Sequence, residues 1–79
     1  EKTSIPIIEN LMDREYLMTF PELDYKEIDK VLMTAIETST LIVDSIFEPR
    51  LIDLAKNDQS LTVRDLAIKT LKKSYDRTI

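Results

Sequence analysis

The groups in this 79-residue chain that could move a proton or attack an electrophile are carboxylates, lysines, three tyrosines and hydroxyls. Histidine and cysteine are absent, which removes the Ser–His and Cys–His nucleophile systems. A zinc centre would have to be built from carboxylates alone, against that metal's preference for nitrogen and sulfur donors. Glycine is also absent, so no glycine-rich loop can wrap a phosphate. Glu9 and Asp13 stand one helical turn apart, but such pairs on an exposed helix are ordinary solvated charges. No pair brackets a cleft, and a chain this short has little room for a pocket of the usual ~300 Å³ or more. This inventory points away from an enzyme, and no cofactor or metal is expected.

The elements that would carry these groups read as helices. Without glycine, tight turns at positive φ and hairpins of the Asn-Gly type are disfavoured. Thr3 or Ser4 can cap a first helix, Pro6 is tolerated in its first turn, and Ile8, Leu11, Met12 and Tyr16 form a 3.6-residue stripe. The spacing predicts a helix over 5–18, ended by Pro21 because the residue before proline avoids the α region. Asp24 and Glu27 have capping-box spacing. Ile28, Val31, Leu32, Ala35 and Ile36 follow in phase, and so do Ser39, Ile42, Val43, Ile46 and Phe47. Either one helix runs from Tyr25 to Glu48, or two are broken near Thr38–Thr40, where β-branched polar residues weaken the propensity. Pro49 is expected to end whichever element reaches it. A short helix over 50–56, a polar turn at 57–60 and an amphipathic helix with Val63, Leu66, Ala67, Leu71 and Tyr75 on one face complete the chain. The fold class is all-α: a compact bundle of four or five helices joined by short turns, forming a single domain over 1–79.

The net charge of −4 is unevenly spread. Residues 1–60 carry six basic and thirteen acidic side chains, and residues 61–79 carry five and two. An acidic body disfavours nucleic acid, whose binding depends on neutralising phosphates. Residues 50–79 can still be scanned as a helix-turn-helix. Thr62–Leu71 would then be the supporting helix, Ser74–Ile79 the start of the recognition helix, and Lys72 and Lys73 would face phosphates. Against that, Tyr75 is in phase with Leu71 on one continuous helix. The chain opens on Glu1 and is expected to be a fragment of a longer protein. "SIPII" lacks the basic leader and long apolar centre of a signal peptide, and no apolar run approaches the ~20 residues that span a bilayer. The lack of cysteine leans towards a reducing, intracellular setting.

Two stretches carry more. "FPELDYKEIDKVL" followed by "IVDSIF" resembles the CUE domain, a three-helix ubiquitin-binding module of the UBA-like type, over about residues 11–48. Phe20-Pro21, Ile28, Val31-Leu32, Val43-Asp44 and Ile46-Phe47 stand in the family's order. The family's Met-Phe-Pro triad reads Thr19-Phe20-Pro21 here, with the methionine shifted to Met18, and its di-leucine pair reads Ile46-Phe47. The resemblance implies a partner-binding surface of Met18, Thr19, Phe20, Pro21, Ile46 and Phe47 joined in one apolar patch, with ubiquitin as the partner. "NDQSLTVRDLAIKTL" is similar to the inner part of a HEAT repeat through Asp58, Val63-Arg64, Ala67 and Leu71. That implies a helical hairpin in a scaffold, with Asp58 accepting backbone N–H groups at the start of the next helix.

Composition adds a physical reason for a contact surface. Ile5, Ile7, Ile8, Leu11, Met12, Leu17, Met18 and Phe20 crowd one segment with more apolar residues than one helix face can bury. The surplus predicts an exposed docking patch or an interface in a homo-oligomer. The expected function is therefore a non-enzymatic protein–protein interaction module, with a HEAT-like scaffold or oligomerisation domain as the alternative.

Overall fold

The computed structural model describes residues 5–78. Its elements are α1 (Ile5–Leu11), α2 (Arg14–Leu17), α3 (Tyr25–Leu41), a 3₁₀ turn (Ser45–Phe47), α4 (Glu48–Asn57) and α5 (Leu61–Ser74). The described residues contain no strand, so the all-α class holds. α4 packs along α5, α5 leans on α3, and α1 lies across α3. One apolar core runs through all of them, with Met12, Leu32, Ile36, Phe47, Leu51, Val63, Ala67 and Leu71 fully enclosed.

The helix expected over 5–18 is two helices. Asp13 leaves the helical region at φ −119°, ψ 107°. Its carboxylate accepts from the backbone N–H of Glu15 at 3.0 Å and of Tyr16 at 3.4 Å, which starts α2 afresh. The break rotates the downstream face, so Tyr16 is exposed while Met12 and Leu17 are buried. α2 stops at Leu17, ahead of Pro21. Thr19 and Phe20 donate back to the Tyr16 and Leu17 carbonyls in a tightened last turn.

α3 begins with the expected capping box. Glu27 N–H donates to Asp24 Oδ1 at 2.9 Å, and Asp24 N–H donates to Glu27 Oε1 at 3.1 Å. Its other end rules out a single helix to Glu48, but the break falls at 42–44, past Thr38–Thr40, and a 3₁₀ turn follows it before α4. Thr38, Ser39 and Thr40 each donate a hydroxyl proton to a carbonyl three or four residues back. Such bonds compete with regular helix geometry. The backbone then turns extended at Ile42 (φ −119°, ψ 84°) and Asp44 (φ −148°, ψ 137°).

Pro49 does not end an element. It sits in the first turn of α4, where its missing N–H costs nothing and its fixed φ favours the helix. Asp58 and Ser60 shape the next corner. Asp58 Oδ2 accepts from Ser60 N–H at 3.0 Å, and Ser60 Oγ caps Val63 N–H at 3.4 Å. α5 ends at Ser74, and residues 75–78 are not helical. A second helix of a helix-turn-helix is therefore absent among the described residues. Asp76, at φ 53°, turns the chain back, and Arg77 reaches Glu48 at 3.1 Å.

Candidate functional site

The expected contact residues divide by location. Met18, Thr19, Phe20 and Pro21 form the corner between α2 and α3, and all four are exposed. Ile46 and Phe47 lie in the 3₁₀ turn beyond the other end of α3. Asp44, which opens that turn, donates its N–H to the Tyr75 hydroxyl at 3.4 Å, and the same hydroxyl donates to the Ser39 carbonyl at 2.9 Å. This holds the turn at the C-terminal end of α3, a helix of 17 residues and so about 25 Å long. The single patch implied by the sequence is therefore not assembled. Phe47 is corrected outright: it is 0% exposed and at the centre of the core, because the break at 42–44 turns it inward beneath α4. Ile46 stays partly exposed, beside Leu41 and Val43 rather than Phe20.

What the corner does assemble is an apolar ridge. Tyr16, Met18 and Phe20 are 42%, 62% and 39% exposed. The rings of Tyr16 and Phe20 meet edge to face, with centroids 5.3 Å apart and planes at 76°, a favourable arrangement for aromatic quadrupoles. The Thr19 hydroxyl donates to the Tyr16 carbonyl at 2.6 Å and fixes the backbone between the rings.

Beneath the ridge lies a buried ionic tie that the sequence reading missed. Arg14 donates from Nε and Nη2 to the two oxygens of Asp58, at 2.8 and 2.9 Å, and from Nη2 also to Asp29. The side chains of Arg14 and Asp58 are 10% and 1% exposed. The hydrogen bonds it donates to Asp58 hold the guanidinium pKa above its already high ordinary value, outweighing the burial that would lower it. A signal was present: Ile8, Leu11, Arg14 and Leu17 form one i, i+3 series, so a lone cation stands among inward-facing apolar residues. Asp58 itself was read as a corner residue accepting backbone N–H. It does so, and it also receives Arg14.

Two hollows adjoin these elements. An open cleft of about 490 Å³ separates α2 from the end of α4, lined by Asp13, Glu15, Met18, Asp53, Leu54 and Asn57 among others. A chain this short is expected to have little room for a pocket of ~300 Å³ or more; this hollow is larger than that, but it is an open surface cleft. A smaller groove of about 250 Å³ runs between α1 and α3, lined mainly by Ile8, Leu11, Val31 and Ala35 with Lys30 at its edge. Among the described residues no cluster of three acidic side chains is placed to hold a metal ion. No helix among them is long and apolar enough to cross a membrane.

Comparison with protein-family models, with curated proteins and with solved structures returned no match. The functional reading therefore rests on the residues themselves.

Proposed function

We propose that this chain is a non-enzymatic protein-binding module that docks a partner on the Tyr16–Met18–Phe20 ridge. The observation that carries this reading is that three large apolar side chains stand clear of a core already filled by others. Aromatic rings already held edge to face lose little entropy on contact, and a neighbouring methionine adapts to the shape it meets. An intracellular setting belongs to the same proposal, supported by the absence of cysteine.

The narrower version names ubiquitin as the partner and draws on the CUE-like order of residues over 11–48. Its contact residues reduce to Met18, Thr19, Phe20 and Pro21, since Phe47 is enclosed and Ile46 lies at the far end of α3. Titration of ubiquitin into the isotope-labelled chain should move the amides of Met18, Thr19 and Phe20, and Phe20→Ser should abolish the effect. No shift at millimolar ubiquitin excludes it as the partner.

The second reading is a HEAT-like scaffold or oligomerisation unit. It is favoured by the α4–α5 hairpin, in which Val63, Ala67 and Leu71 are all buried and Asp58 shapes the corner. Nucleic acid is disfavoured by the acidic balance of the chain.

A further inference from the structure

The ridge and the larger cleft are continuous, because Met18 belongs to both. Four carboxylates line the cleft, those of Asp13, Glu15, Asp53 and Asp58, against the single guanidinium of Arg14. Their partners sort them. Asp58 is neutralised by Arg14. Asp13 faces Arg50 at 3.2 Å. Asp53 accepts a hydrogen bond from the Asn57 side-chain amide at 2.9 Å, a neutral donor that leaves its charge intact. Glu15 has no ion-pair partner among the described residues. Two uncompensated negative charges therefore face the same hollow, one from α2 and one from α4. The last turn of α4 ends at Asn57 on the same wall, and the carbonyl end of a helix adds partial negative charge.

Deepening the reading of the ridge as a docking surface, on which it rests, we infer that the partner presents a basic amphipathic segment. One or two of its apolar side chains cover Met18 and Phe20, and a lysine or arginine enters the cleft between Glu15 and Asp53. Charge complementarity selects this occupant. An acidic segment would be repelled by both carboxylates, and a purely apolar one would strip them of water without replacement. A long basic side chain fits on both counts, since its methylene stem can lie along Met18, which is exposed, while its head reaches the carboxylates.

The probe is the peptide acetyl-KLFRKLFK-amide, titrated at low salt into the isotope-labelled chain beside its charge-reversed counterpart, acetyl-ELFEELFE-amide. The basic peptide alone should shift the amides of Glu15, Met18, Asp53 and Asn57, and added salt should weaken it. The variants E15Q and D53N alter exposed side chains, so the fold should survive. Each should weaken binding roughly threefold, and the pair about tenfold. Equal shifts from both peptides would sink the cationic-partner inference. So would wild-type binding by the double variant while F20S abolishes binding. In either case the ridge itself would stand. Binding by F20S as tight as wild type, or shifts confined to residues away from the corner, overturns the ridge and the inference together.

Discussion

Arg14 and Asp58 show how much one pair can carry in a small chain. Two charges have been taken out of water, and each is tolerable only while the other is present. Removing one partner of such a pair costs about 3–5 kcal/mol, whereas replacing both with apolar residues of similar volume is often close to neutral. A domain of this kind has only about 5–10 kcal/mol in total. Asp58→Ala should therefore lower the urea midpoint steeply, and Arg14→Met should do the same. Arg14→Met combined with Asp58→Leu should recover much of the loss, although Asp29 and the Ser60 N–H then lose a partner each. A strictly additive double variant would show that the tie is worth less than its geometry implies. Single residues were legible in the sequence when their role was local. Asp24 and Glu27 announced a capping box by spacing alone, and Asp58 announced a corner. Arg14 was not read, because its partners lie 15 and 44 residues away and nothing in the local pattern names them.

Tyr75 belongs to the scale of elements, because it ties the end of α5 to the end of α3 and to the turn beyond it. Burial pushes its hydroxyl pKa above the ordinary phenol value, while the hydrogen bonds with Asp44 and Ser39 pull the other way. The folded state keeps this proton at a pH where the unfolded chain has begun to lose it. The resulting stability is intact below about pH 10, the ordinary tyrosine value, and is lost as pH rises through the raised folded value. Thermal midpoints measured from pH 8 to pH 11 should fall more steeply for the wild type than for Tyr75→Phe above about pH 10. At neutral pH the variant should cost about 1 kcal/mol for its lost hydrogen bonds. Parallel curves would show that the tether does not titrate as described. The element-level record of the sequence is mixed for physical reasons. α3, α4 and α5 were legible because their apolar phase is unbroken and α3 and α5 open on side-chain caps, Asp24 and Ser60. The division between α1 and α2 was not, since Asp13 sits in phase with the helix and acts only by turning its carboxylate onto the following N–H groups. Pro49 was misread as a stop because proline's effect depends on whether it falls in a first turn or an interior.

The whole molecule measures 35 × 29 × 16 Å. Its short axis is well under two helix diameters of about 10–12 Å each, so apolar side chains emerge in several places instead of on one broad face. Tyr16, Met18 and Phe20 stand at one corner, Leu41 ends α3 with Val43 and Ile46 just beyond it, and Ile7 stands on α1. The two three-residue groups each offer on the order of a few hundred Å² and Ile7 less, within the range of the largest patch on an ordinary monomer and below the ~800 Å² per partner of a stable interface. Light scattering at tens of micromolar should therefore give the mass of a single chain, and a dimer would favour the scaffold reading. The apolar surplus in the first twenty residues was visible in the sequence and did lead to an exposed ridge. Its expected continuation through Ile46 and Phe47 was not, because that required knowing which way α3 points and where it stops.

The 44-residue span between Arg14 and Asp58 also has a bearing on the order of assembly. The α4–α5 hairpin closes through a three-residue corner and can form from local contacts, as fast-folding helical pairs do. The segment bearing α2 must wait for that corner before its guanidinium can meet Asp58, which takes two of its hydrogen bonds. It is expected to be the last part of the chain to settle and, on native-state exchange, the first to open. The proposed docking face thus rides on the least committed piece of the structure, and a partner seated there is expected to slow that opening.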